Sequence, residues 1–279
     1  MELARQGFDI IMLCRYRDYN FQVQTLQMEI QAVSRTRNVY LIPCDLGSVR
    51  SIYEAAENIR RRFDRIDVLI NNAGRIVDPL QYSPEGIELT FMTNYLSHFL
   101  LTYLLLDLLK ASDEARVINV ASELHRFGRL QNLLHRDPQT YSALGAYCDS
   151  KLAKLLFTYE LADRLMDYGI TVNAMHPWLI DTNFAEDGDA KGLLHQTFRL
   201  GKALAPGPET AAKTTVYLAS SPEVRHVTGL YFANCRPWPS SPKAQNRELS
   251  RRLWTFSETV LGIRYPQTVE QPSPELITY

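Results

Sequence analysis

The sequence predicts an α/β fold: one domain built on a doubly wound, parallel sheet with helices on both faces. Two observations predict it. Short Val- and Ile-rich runs alternate with longer stretches of helical spacing, which is the signature of parallel strands joined by crossover helices. The runs are continuously apolar rather than alternating, as strands buried on both faces require.

The runs are DIIMLC (9–14), VYLIP (39–43), VLIN (68–71), VINV (117–120), TVNAM (171–175) and GLYFA (229–233). Helices are expected over 22–33, 49–62, 86–109, 147–168, 209–219 and 244–260, with 86–109 the longest. The 183–208 stretch breaks the rhythm. It holds several Gly and Pro around LLHQTFRLGKAL and reads equally as a flap over a pocket or a plain connecting helix. Residues 265–279 carry three prolines and few apolar side chains, which reads as a flexible tail. The domain is therefore placed at 1–262 and the tail at 263–279.

Composition narrows the function. The chain has 279 residues, 46% hydrophobic and 22% charged, with a net charge of −1. No global field draws it to nucleic acid or an acidic membrane surface. Cys14, Cys44, Cys148 and Cys235 form no CxxC pair, so free thiols in a reducing, intracellular compartment are expected and a metal site is not. The opening residues do not read as a signal peptide, and the most apolar stretch, 99–109, is about half a membrane span.

Doubly wound sheets bind ligands beyond the carboxyl ends of their strands, and the chemistry-bearing residues cluster there. Tyr147 and Lys151 lie four apart on an expected helix and share a face. A free tyrosine is a poor base near neutral pH, and a lysine ammonium on the same face would lower its pKa so that it can trade a proton with a carbonyl oxygen. Alone the spacing is common and fits an exposed helix pair. Ser122, closing RVINVAS, would hydrogen-bond a substrate oxygen; a serine also commonly ends a strand. Asn72, Ala73 and Gly74 follow VLIN, where small residues let a ligand approach the backbone. Asp45 and Leu46 follow VYLIPC, where an acid also suits a helix N-terminus. Asn94 is a poor helix former inside the 86–109 helix, which suggests a role or a kink. At Cys14-Arg15, after the first run, a guanidinium suits a phosphate better than a ribose hydroxyl; Arg17 would help and Asp18 oppose it.

The set DL (45–46), NNAG (71–74), NYLSHF (94–99), NVAS (119–122), YCDSK (147–151) and HPWLIDT (176–182) resembles the short-chain dehydrogenase/reductase family, in order and spacing, from about residue 3 to 262. SELHRFG (122–128) and the GLYFANC and SPKAQNRELSRRLWTFSETVLG segments resemble its retinol dehydrogenase and WW-domain oxidoreductase branch. The resemblance implies a Rossmann-like fold and a nicotinamide-dependent enzyme interconverting an alcohol and a carbonyl on an apolar substrate, a retinoid or another lipid-like aldehyde; Arg15 favours NADP(H) over NAD as its cofactor. The resemblance implies Tyr147 as catalytic acid/base and Lys151 as its tuner and ribose contact. It further implies that Ser122 positions substrate and that Asn94 supports a proton relay. Asp45 and Leu46 would flank the adenine; Asn72, Ala73 and Gly74 would line the cofactor, and Pro177 and Thr182 would sit beside the nicotinamide. Relatives of this branch often carry an N-terminal membrane anchor, and homodimers through the 86–109 and 147–168 helices are common in the family.

Two departures stand out. The family opens with a strand and a TGxxxGxG turn whose N–H groups hold the pyrophosphate; the sequence has none, and MELARQGFDIIMLCR reads as the end of the following helix and the second strand. A central strand and roughly thirty residues are expected to be absent upstream, leaving unpaired edges, weak dinucleotide binding and little turnover. A non-catalytic protein that keeps the fold as an interaction surface is the rival expectation. The second departure is Pro177-Trp178, where the family has Pro-Gly; the indole either lines the pocket or crowds the cofactor.

Overall fold

The computed structural model describes residues 1–15, 21–131, 133–177 and 208–266, with backbone alone over 208–211. Arg17, Asp18, Trp178, Thr182, most of the 183–208 stretch and everything after 266 lie outside the described residues.

Seven strands are described: β1 (Ile10–Cys14), β2 (Val39–Pro43), β3 (Val68–Asn71), β4 (Arg116–Val120), β5 (Thr171–Met175), β6 (Tyr231–Ala233) and β7 (Arg236–Pro237). The first six match the six apolar runs. The helices are α1 (Glu2–Arg5), α2 (Phe21–Val33), α3 (Val49–Arg62), α4 (Leu89–Phe91), α5 (Ser97–Leu104), α6 (Leu106–Lys110), α7 (Ala143–Leu165), α8 (Pro208–Ser220) and α9 (Arg247–Leu261).

Strands β3 to β6 pair in parallel in sequence order, and β7 turns back antiparallel on β6. The period-2 alternation of strand side chains divides the core into two layers. Val117, Val172 and Ala174 face a large cluster made with α3, α5, α7 and α9, while Ile118, Val120 and Met175 face Leu218 and Ala219 of α8. Strands β4 and β5 are buried at every residue, which is why they read as continuous apolar runs.

The sheet is not continuous. β1 and β2 pair in parallel as a separate two-stranded piece, and among the described residues β1 and β3 are not hydrogen-bonded neighbours. The split falls where the family's first strand is expected. All five residues of β1 are only half-buried, as an open edge dictates. The two pieces nevertheless share a core, because Ile11 and Leu13 of β1 pack on the cluster that contains Leu69 of β3.

Two expectations need correction. The 86–109 stretch is not one helix: α4 passes into a π-helical turn, Met92–Leu96, before α5 and α6. The packed part also runs past residue 262. Gly262 ends α9 with φ 64°, and Ile263 and Tyr265 then return into the core. The Tyr265 hydroxyl donates to the Phe99 carbonyl at 2.7 Å, and its ring meets Phe99 and Trp254. No described helix is long and apolar enough to cross a membrane.

Candidate active site

The site forms where β3 and β4 end and α7 begins. Ser142 caps α7 by accepting the Gly145 N–H at 3.1 Å, and this fixes the first turn on which Tyr147 stands. The helix is buried along most of its length, so Tyr147 and Lys151, one turn apart, both point into protein. Tyr147 hydrogen-bonds Ser122. The Lys151 Nζ donates to the Val120 carbonyl at 3.0 Å and lies 5.3 Å from the centre of the Tyr147 ring. Ser122 begins a 3-10 turn, Glu123–Phe127, and its Oγ accepts the Leu124 N–H at 3.3 Å.

Burial sets the titration of the pair. It raises the Tyr147 phenol above its ordinary range, with the Ser122 hydrogen bond pulling the other way, and it lowers Lys151 to about 8. The expected depression of Tyr147 by Lys151 is therefore absent from this structure: desolvation outweighs the ammonium, whose N–H is engaged by Val120. The arrangement does hold the phenol protonated, with its oxygen on a serine hydroxyl. That is the state required to give a proton to a carbonyl oxygen.

Asn94 sits in the π-helical turn, a geometry common at functional sites, and is fully buried. Its side chain accepts the Arg75 N–H at 2.7 Å and donates to the Arg75 carbonyl at 2.9 Å and to Ser150 Oγ at 3.0 Å. It thus clamps the loop that follows NNAG to α7. Gly74 lies beside this clamp: a Cβ there would meet Asn94 Oδ1 at 3.4 Å and Lys151 Nζ at 3.5 Å. Asn72 and Ala73 are exposed at the end of β3.

The structure brings Gly74, Asn94, Ser122, Tyr147 and Lys151 into one place. Arg15 and Asp45 stand at the carboxyl ends of β1 and β2 in the separate piece of sheet. Asp45 is exposed, its Oδ1 capping the Gly47 N–H at 2.8 Å, while Leu46 packs on the core. Pro177 is half-buried just after β5.

The residues fit a nicotinamide dinucleotide in part. Gly74 lacks the side chain that would press on Asn94 Oδ1 and Lys151 Nζ, and the Lys151 ammonium carries three donors and has Val120 O as one acceptor. The described residues contain no glycine-rich turn to hold a pyrophosphate.

Sequence reasoning missed several polar residues around the centre. Lys154, one turn beyond Lys151, is fully buried, with Nζ 2.6 Å from His98 Nδ1 and 3.3 Å from the Asn71 carbonyl. Burial and the neighbouring Lys151 hold its pKa well below the lysine range. His125 and Glu123 belong to a second cluster with His176 and Tyr231. The one sequence signal for that cluster was SELHRFG, which marked the branch without assigning a role.

Comparison with known proteins identifies the family. The short chain dehydrogenase family model matches residues 1–191. Human retinol dehydrogenase 13 is 38% identical over 278 residues, covering 98% of this chain and 83% of that protein. Mouse retinol dehydrogenase 14 is 40% identical, covering 94% and 81%. Among solved structures, a Mycobacterium paratuberculosis protein superposes with a TM-score of 0.69 at 30% identity, covering 95% of this chain and 88% of that one. A metagenomic blue fluorescent protein in complex with NADPH superposes at 0.62 with 27% identity, covering 83% and 87%. The chain belongs to the short-chain dehydrogenase/reductase family, on its retinol-dehydrogenase-like branch, and is an oxidoreductase of alcohols and carbonyls.

Proposed function

We propose that this chain interconverts an apolar alcohol, a retinoid among the candidates, and its aldehyde with NADP(H), using Ser122, Tyr147, Lys151 and Asn94. The observation that carries the reading is the contact of the buried Tyr147 phenol with Ser122 one helical turn from Lys151. In the reducing direction Ser122 would donate a hydrogen bond to the carbonyl oxygen and Tyr147 would pass it a proton. Lys151 would steady the phenolate left behind, and Asn94 would hold the turn that places Lys151 against Gly74. NADP(H), when bound, supplies the hydride. Asn72, Ala73, Gly74 and Lys151 would hold its nicotinamide half, with Pro177 and Thr182 near the ring; Asp45 and Leu46 would flank the adenine, and Arg15 would meet the 2′-phosphate.

A cavity of about 790 Å³ opens beside the site, its wall mixing Leu124, Phe127, Tyr141 and Leu144 with Arg129, Arg136, Asp137 and Asp149; Leu124 and Tyr141 pack in the same cluster as Tyr147. The support for the apolar substrate and the cofactor choice comes from the comparisons, with retinol dehydrogenases among the relatives and an NADPH-bound neighbour. Fluorescence titration of NADPH and NADH against wild type and Arg15→Ala tests the cofactor half. Wild type should prefer NADPH, and the variant should lose about tenfold of that preference, the worth of one charge-assisted contact. Equal affinities in wild type would refute it.

A further inference from the structure

The loop that carries Ser122 starts just past β4, whose backbone pairing to β5 ends with the Ala121 N–H on the Met175 carbonyl at 2.7 Å. The Ser122 carbonyl itself is held by His125. His125 donates its backbone N–H to the Ser122 carbonyl at 3.1 Å, and its Nδ1 approaches the same oxygen at 2.7 Å. Its other ring nitrogen, Nε2, receives the Ser241 backbone N–H at 3.0 Å. A backbone N–H can only donate, so Nε2 is the acceptor, and the ring proton sits on Nδ1, donated to Ser122. The ring is fully buried and stands edge-on to Tyr231, with centroids 5.5 Å apart. Burial favours the neutral form that this tautomer requires. Both backbone and side chain of one residue thus grip the carbonyl of the serine whose hydroxyl meets Tyr147.

We propose that His125 is a positioning residue for the reaction centre, setting through its Nδ1–H bond to the Ser122 carbonyl where the Ser122 hydroxyl meets Tyr147. The proposal rests on the reading of Ser122 and Tyr147 as the reaction centre. It assigns the effect to one of the two ring bonds, and the two can be separated. An asparagine amide falls near the place of Nδ1, and a glutamine amide near that of Nε2; phenylalanine keeps the ring volume with neither.

The experiment compares wild type with His125→Asn, His125→Gln, His125→Phe, Ser122→Ala and Tyr147→Phe, each checked for folding by thermal melt. Reduction of an apolar aldehyde is followed at millimolar NADPH. His125→Asn should keep kcat within about threefold of wild type. His125→Gln and His125→Phe should lose about tenfold in kcat, the scale of one hydrogen bond, with KM for NADPH unchanged. A second readout needs no turnover: the 13Cζ resonance of Tyr147 in tyrosine-labelled protein, assigned by its disappearance in Tyr147→Phe. It should shift in the Gln and Phe variants in the direction that Ser122→Ala shifts it, and stay put in His125→Asn. A Gln variant that keeps kcat while Asn loses it would overturn the proposal, because the Ser241 anchor alone would then matter. So would a Tyr147 resonance that ignores all three His125 variants. If Ser122→Ala and Tyr147→Phe leave turnover intact, the reaction-centre reading falls, while the Tyr147 resonance still decides whether His125 sets the Ser122–Tyr147 contact.

Discussion

Gly128→Ala should destabilise this protein through the helix that carries its reaction centre. Gly128 follows the 3-10 turn with φ −63° and ψ 144°, a conformation alanine adopts freely, so backbone strain plays no part. The obstacle is space. A Cβ at 128 would lie 2.7 Å from both the Cys148 carbonyl oxygen and the Leu152 Cβ, and 3.1 Å from Leu152 Cδ2. Carbon atoms pack best at about 3.5–4.0 Å, so the turn must back off by roughly 1 Å. Neither neighbour can swing away, since one is helix backbone and the other a fully buried side chain. Overpacking of this kind costs about 3 kcal/mol at its upper end, offset by about 0.7 kcal/mol from the stiffer unfolded chain. The net of about 2 kcal/mol corresponds to a fall in Tm of about 4–5 °C for a domain of this size. Gly145→Ala is the matched control. Its Cβ would meet only Ser142 Cβ and Oγ, at 3.3 Å, and a helix interior favours alanine by about 0.5–1 kcal/mol, so its Tm should move by less than about 2 °C. Thermal unfolding followed by circular dichroism decides. A Gly128→Ala protein that melts with wild type would refute the packing of the 3-10 turn on α7. Because Cys148 adjoins Tyr147, the same substitution should also lower turnover.

Two further predictions follow from buried polar groups. Asn94→Ala removes three hydrogen bonds and leaves the Arg75 backbone groups and Ser150 without that partner, so it should cost about 2–4 kcal/mol and most of the activity; urea unfolding with an unchanged midpoint would contradict this. Burial holds the imidazoles of His98, His125 and His176 below their usual 6.5. Between about pH 5 and 6.5 the unfolded chain then binds protons that the folded chain does not, and stability falls with acid. Tm should drop between pH 7.5 and 5.5, and a flat or rising Tm would refute the neutral burial of these rings.

Much of the fold could be read from the sequence because β4 and β5 are buried at every residue, which leaves unbroken apolar runs between stretches of helical spacing. Tyr147 and Lys151 were legible for a similarly local reason, since four residues on a helix make one face. What could not be read depends on distant partners. The Asn94 clamp needs Arg75 and Ser150, and the His98–Lys154 and His125–Ser241 contacts join residues far apart in the chain. Tyr265 sits among prolines and polar residues, so composition suggests a tail; its burial is decided by an aromatic pocket of Phe99, Tyr103 and Trp254. The Tyr147 phenol was misread in one respect: helical proximity to Lys151 promised a lowered pKa, but proximity says nothing about the desolvation that dominates it.

The central claim is that the Ser122–Tyr147–Lys151 centre gives a proton to an apolar carbonyl as NADPH gives it hydride. The most direct test follows deuterium from nicotinamide-deuterated NADPH, at millimolar concentration, into the alcohol formed from retinaldehyde, read by mass spectrometry so that slow turnover suffices. Wild type should place one deuterium on the alcohol carbon, and Tyr147→Phe should lower the labelled product by about a hundredfold or more, as expected for loss of a general acid. Unlabelled alcohol, or equal labelling in the two proteins, would contradict the account.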